Sequence, residues 1–242
     1  DYDPNQHHVE QVYANMARAY IGKQAFDQAI DYYQKALEKD PEYEDAYLGL
    51  GRVSMELGQY DKATRIYQLA LELNPQSAVV YNQLGNLSFV QGNYDEALAH
   101  YQKAIEFNQF YIAAYNGLGL SYAGKGEIDN ALSIYQQALR IDPDATVVRN
   151  SLGSLYMNQG ETKKAISEFK ESLKREPNNA EVRNNLGMLL LRTKQYEESL
   201  QELMAALKLQ PDNPKIMSNL GIAYAHVGLY EQAIQMFHWA LQ

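Results

Sequence analysis

Apolar and small residues return along this chain at helical spacing, and the whole arrangement then repeats. Tyr81, Leu84 and Ser88 lie three or four positions apart, and so do Ala97, Tyr101 and Ala104. Such spacing gathers side chains on one face of an α-helix, so each set predicts a helix with a single packed stripe. Tyr47, Leu50, Gly51, Ala63, Tyr67 and Ala70 occur 34 positions before Tyr81, Leu84, Gly85, Ala97, Tyr101 and Ala104. A further 34 gives Tyr115, Leu118, Gly119, Ala131, Tyr135 and Ala138. The register runs on through Leu152, Gly153, Ala165 and Phe169, then Leu186, Gly187 and Ala206, then Leu220, Gly221, Ala233 and Phe237. It begins with Tyr13, Ala17, Ala29, Tyr33 and Ala36. A fixed period of this length predicts an all-α stack of helical hairpins rather than one globular core. The boundaries are an arm at 1–9 and an array at 10–242, with copies at 10–43, 44–77, 78–111, 112–145, 146–179, 180–213 and 214–242.

The punctuation agrees with hairpins. Gly58, Gly92, Gly126, Gly160 and Gly228 share one offset between the two stripes, where a left-handed residue ends a helix. Gln24 and Lys194 stand there in the other copies. Acids at Asp61, Asp95, Asp129, Glu197 and Glu231 suit the N-terminus of the second helix. Pro41, Pro75, Pro143, Pro177 and Pro211 close the copies, whereas Gln109 replaces proline and predicts an altered bend or a longer helix. The glycines inside the first helix, such as Gly85, Gly119 and Gly187, each cost roughly 1 kcal/mol of helix propensity against alanine. Close approach of the paired backbones, Gly85 facing Ala97, is the expected compensation.

These residues resemble the tetratricopeptide repeat family over 10–242, with a bulky residue, Leu-Gly, a small-aromatic-small set and a proline at its offsets. The departures are local: Arg149 and Arg183 for the bulky aromatic, and Ser199 and Leu203 in the sixth copy. The resemblance implies antiparallel helix pairs, a right-handed superhelix, and a concave groove lined by the first helices that binds a protein or peptide segment.

Under that geometry the groove carries asparagines at a 34-residue interval, Asn82, Asn116, Asn150 and Asn184. Asn15, Asn185 and Asn219 occupy the next offset, and Asn86 lies one turn on. An asparagine amide offers a donor and an acceptor, the pair that grips a peptide backbone. The pattern is similar to the asparagine ladder of the O-linked N-acetylglucosamine transferase superhelix, which uses the offset of Asn15, Asn185 and Asn219; the central ladder here is shifted by one residue. The alternative is that the amides are inherited by duplication or merely solvate a polar groove. Arg18 and Arg52 share an offset taken later by Leu120, Met188 and Ile222, while Phe89, Met157 and Leu191 add apolar surface. A partner with acidic groups near the arginines and apolar ones near Met188 and Leu191 is expected, unless the arginines pair with Asp45 and Glu56. The family's clamp for acidic chaperone tails does not fit, because Asn82, Gly117, Val147 and Ser151 replace its required residues.

Composition narrows the function. A formal charge of -9 argues against general nucleic-acid binding, and no apolar run is long enough to enter a membrane as a span. The chain has no cysteine, which does not choose a compartment; the cytoplasm is the default. Gly119 to Lys125 imitates a phosphate loop but is followed by Gly126, not Ser or Thr, within a predicted helix. Asn86-Leu87-Ser88 matches a glycosylation sequon inside another helix. His7, His8, His100, His226 and His238 have no metal spacing. Glu168 and Glu171 read as a solvated convex face. No catalytic set recurs, so neither enzyme chemistry nor a cofactor is expected. The leading function is a non-catalytic scaffold that binds an extended or helical partner segment. The alternatives are the substrate-docking region of a larger enzyme and a self-associating subunit. Met236, Phe237, Ala240 and Leu241 should remain partly uncovered, either in a fragment of a longer chain or as a self-association flank. Tyr2 could dock the arm on the first hairpin.

Overall fold

The computed structural model describes residues 8–242. Tyr2, its docking and His7 lie outside the described residues. Among the described residues there are fourteen helices and no strand. The first helices of successive copies are α1 (Val9–Gly22), α3 (Glu44–Glu56), α5 (Ala78–Val90), α7 (Ile112–Gly124), α9 (Thr146–Asn158), α11 (Ala180–Arg192) and α13 (Pro214–His226). The second helices are α2 (Phe26–Lys39), α4 (Tyr60–Leu73), α6 (Tyr94–Phe107), α8 (Ile128–Ile141), α10 (Thr162–Arg175), α12 (Tyr196–Leu209) and α14 (Tyr230–Ala240). Val9, given to the arm above, is the first residue of α1. The chain divides into two compact units, 1–127 and 128–242.

In the first unit α1 packs on α2, α3 on α4 and α5 on α6, and each second helix also meets the first helix that follows it. One side chain organises each junction. Tyr33 is buried among Ala14 and Ala17 of α1, Ala29 and Ala36 of α2, and Ala46 and Val53 of α3. Small neighbours on three helices leave room for one ring. The second unit repeats the scheme, with Phe169 and Ala165 of α10 packed among Val182, Leu186 and Leu190 of α11.

The rings correct the expected role of the glycines. A Cβ on Gly85 would lie 2.6 Å from Tyr101 Cε1, and one on Gly51 would lie 2.2 Å from Tyr67 Cε1. The glycine therefore admits the aromatic ring rather than a nearby alanine. In the sixth copy Leu203 takes the ring's place beside Gly187, and Ser199 Oγ donates to the Gly187 carbonyl at 2.7 Å.

The turns follow the backbone. The five turn glycines have φ between 70° and 80°, and Gln24 and Lys194 hold the same conformation at 58° and 62°. A side chain in that region costs about 1–3 kcal/mol, offset in part by the smaller unfolded-state entropy of a non-glycine residue. Lys194→Gly should therefore raise stability by about 1 kcal/mol, read as a higher urea midpoint at constant m-value; an unchanged midpoint would contradict the strain.

Two expectations about departures are revised. Gln109 neither lengthens α6 nor removes the turn, because α6 ends at Phe107, in register with α4 and α8. Asn108 Oδ1 accepts from the Phe110 amide at 3.0 Å, as Asp40 does from Glu42 and Asp142 from Asp144. The turn is made by the Asn or Asp before the proline position, and proline only reinforces it. Arg149 and Arg183 also have a reason. Tyr47 and Tyr115 donate through their hydroxyls to carbonyls six residues back, at Pro41 and Gln109. Arg149 and Arg183 donate to Pro143 and Pro177 in the same way. Each guanidinium also reaches a glutamate of the paired second helix, Glu168 for Arg149 at 2.7 Å and Glu202 for Arg183. Glu168 is thus a structural partner and not part of a solvated face.

Candidate functional site

In the first unit α1 touches α3, α3 touches α5 and α5 touches α7, whereas successive second helices make no comparable contact. First helices that crowd together lie on the inner side of a curved stack, so within this unit their free faces make one wall. In the second unit α11 and α13 meet in the same manner.

The structure sorts the candidate residues into three groups. Asn15, Arg18 and Arg52 are exposed on α1 and α3. Arg18 donates to Asn15 Oδ1 at 2.9 Å and to Asp45 Oδ2 at 2.7 Å, so the expected alternative partner Asp45 is the one it finds. Arg52 makes no hydrogen bond or ion pair with any described residue, Glu56 included.

A second group is held by its neighbours. Asn86 accepts from the Tyr101 hydroxyl at 2.7 Å and donates to Gln83 at 3.1 Å. Asn219 Nδ2 donates to Asn184 Oδ1 at 2.8 Å. Met188 is half-buried against Leu191, Leu203 and Leu220, and Asn185 is half-buried on the same helix.

The third group is the ladder. Asn82 and Asn184 are buried, at 4 % and 2 % exposure, while Asn116 and Asn150 are half-buried. Asn82, Asn116 and Asn150 each keep an Oδ1 closed off from solvent and without a hydrogen-bond partner. Folded proteins rarely leave buried acceptors unpaired, and each costs about 1–3 kcal/mol. Three such atoms at one offset of the repeat are a patterned expense, not scatter.

Several apolar expectations move. Leu191 is buried rather than part of the wall, Met157 packs on the Phe169 cluster, and Phe89 lies against Tyr94 with ring centroids 5.6 Å apart. At α14, Met236 is buried among Leu203, Leu220 and Ala223, and Ala240 is half-buried. Phe237 and Leu241 are exposed as expected, and so are Ile234 and Trp239. Phe237 nevertheless lies so near Gly221 that a Cβ there would be 2.7 Å from the ring.

Ionisable groups offer little chemistry. Among the described residues no three His, Cys, Asp or Glu side chains gather as a metal site. Burial lowers the pKa of His100 against the opposing pull of Glu96. No helix among the described residues is long and apolar enough to cross a membrane.

Paired helices in register, ring-and-glycine junctions and a polar inner wall define a helical-repeat protein, a class that generally serves as a non-catalytic protein–protein interaction scaffold. The family described as the cilia and flagella-associated protein 70 C-terminal domain matches residues 77–242, and a tetratricopeptide repeat family matches residues 20–87. The chain belongs to the tetratricopeptide repeat proteins, and within them to the group of the first match. No curated protein sequence gives a significant match. Among solved structures, that of MamA is 32 % identical, covering 66 % of this chain and 94 % of MamA, with a TM-score of 0.52. The APC/C hetero-tetramer Cut9–Hcn1 gives 20 % identity over 99 % of this chain and 47 % of the other, with a TM-score of 0.76. PilW, a type IV pilus biogenesis factor, gives 22 % identity over 89 % and 99 %, with a TM-score of 0.71. The last two share the fold.

Proposed function

We propose that the first-helix wall holds an extended or helical segment of a partner protein and thereby builds a complex. The observation that carries this reading is the unpaired Oδ1 of half-buried Asn116 on the first unit's wall, a feature repeated at the same offset by the more deeply buried Asn82 and, in the second unit by itself, by Asn150. Asn116 and Asn150 are half-buried, so a change of side-chain rotamer is what would bring the amide oxygen to a peptide N–H at the surface. Each such bond contributes a net 0.5–1.5 kcal/mol or so, and ordering the segment takes part of that back. The amides therefore supply sequence-tolerant grip, and discrimination falls to other side chains on the wall.

The test combines stability with capture. Changing Asn82, Asn116 and Asn150 together to alanine removes three unpaired acceptors and improves helix propensity, so the melting temperature should not fall. A photo-crosslinker at Asn15 on the wall should capture partner segments that the same group at Asp27, on the exposed side of α2, does not. The triple variant should reduce that capture several-fold. Undiminished capture by the triple variant, or equal capture from Asp27, would overturn the reading.

A further inference from the structure

We infer that a hollow between α1 and α3 is a subsite for one carboxylate side chain of the bound segment. This deepens the proposed function and rests on the first-helix wall being the binding face. The hollow has a volume of about 350 Å³ and is lined by Arg18, Ile21, Tyr33, Leu48 and Arg52, with Asp45 and Gln83 also on its boundary. That volume lies at the lower end of ligand sites, which run from roughly 300 to 1,000 Å³. It suits a single side chain with a short stretch of backbone.

The hollow exists because of a small residue. A Cβ on Gly49 would lie 2.0 Å from Tyr33 Cζ, so the tip of the Tyr33 ring occupies the space a side chain would need. The otherwise buried tyrosine thus brings its hydroxyl end to the hollow's lining. Burial pushes the Tyr33 phenol upward, while Arg18 and Arg52 pull it down, which places both guanidinium groups in its electrostatic reach. The phenol stays protonated at neutral pH and can donate a hydrogen bond.

Charge identifies the guest. The chain carries a formal charge of -9, yet this lining holds two arginines against one acid. Arg18 is already matched by Asp45, in a pair about half exposed on each side, at 50 % and 47 %. Such a pair is weak and exchangeable. Arg52 has no hydrogen-bond or ion-pair partner among the described residues. One negative charge completes the balance, and a carboxylate brings one. A phosphate monoester brings about 1.5 to 2 negative charges and would face Asp45 with the excess. Ile21 and Leu48 give the aliphatic stem of a glutamate an apolar surface to lie on. Asp45 stands in the free protein as an internal competitor for the cation pair.

The decisive experiment follows the Arg52 Nε–H resonance of the whole chain by NMR during titration with capped peptides. Acetyl-Ala-Glu-Ala-amide should give a saturable shift, and its glutamine counterpart should bind about tenfold more weakly, as for loss of a charge-assisted hydrogen bond. Arg52→Gln should abolish the difference between the two peptides. Asp45→Asn should tighten the glutamate peptide several-fold, because the competitor is gone, whereas a merely structural Asp45 would make that variant bind more weakly. Equal binding of the two peptides, tighter binding of the phosphoserine version, or acetate binding as tightly as the peptide would each overturn the assignment. Selective crosslinking from Asn15 alongside equal peptide binding would sink the subsite alone. Loss of wall-specific crosslinking would remove the wall itself.

Discussion

Tyr101→Ala is expected to destabilise the first unit by about 3–5 kcal/mol, the range for emptying a buried aromatic site. The ring is 1 % exposed and is gripped from both sides: a Cβ on Gly85 of α5 would lie 2.6 Å away, and one on Gly117 of α7 would lie 2.3 Å away. Neither glycine can extend a side chain into the vacated space, so the cavity collapses poorly. The hydroxyl also supplies the hydrogen bond accepted by Asn86, which the truncation leaves unmet. Tyr101→Phe separates the two losses. It keeps the ring and should cost only about 1 kcal/mol for one hydrogen bond. Because each helix pair in an array leans on its neighbours, hydrogen exchange should show protection lost first in α5, α6 and α7. A Tyr101→Ala midpoint within error of Tyr101→Phe would mean that the ring is not the keystone of that junction.

The repeat and its helices were legible because both are set by short-range rules: stripe spacing, a left-handed turn and an acid at a helix start. What was not legible lies between helices. Gly85 looked like a glycine for backbone approach, but its partner is a ring one helix away, and only the three-dimensional junction shows this. Arg149 and Arg183 looked like exceptions, yet they meet the same carbonyl that tyrosine meets elsewhere. The signal available beforehand was chemical: tyrosine and arginine both place a donor at the end of a long side chain. The turn residues Asp40, Asn108 and Asp142 recur in register and could have been read as the source of the turn. The depth of Asn82 could not, since helical periodicity assigns a direction around one axis and says nothing about how tightly the next first helix presses on it. Arg52 and Asp45 show the same limit. Both are ion-pair candidates in the sequence, and only the fold shows that Asp45 serves Arg18 and leaves Arg52 open.

Alkaline pH should unfold this protein steeply. Tyr33, Tyr67 and Tyr101 organise junctions, Tyr135 of α8 is buried as deeply, and all four are 2 % exposed or less. Burial pushes every one of their phenols above the ordinary value. The folded chain therefore keeps these protons at pH values where the unfolded chain, titrating near 10, has released them. With fewer protons on the unfolded state, stability falls as pH rises through this window, and below it the contribution is fully retained. Each phenol adds a slope of up to about 1.4 kcal/mol per pH unit, so four together approach 5–6 kcal/mol per unit above pH 10 or so. Two such units remove up to about 11 kcal/mol, most of the roughly 5–15 kcal/mol that holds a domain folded. Urea titrations at stepped pH should show this loss, with tyrosinate absorbance rising in the same transition as helical ellipticity disappears. Tyr67→Phe isolates the cause, since its hydroxyl has only the Met55 sulfur, at 3.6 Å, as a partner. The variant should lose close to one proton's worth of slope and stay nearly wild-type at neutral pH. A slope unchanged by that substitution would assign the alkaline loss to the lysines and surface tyrosines instead of the ring junctions.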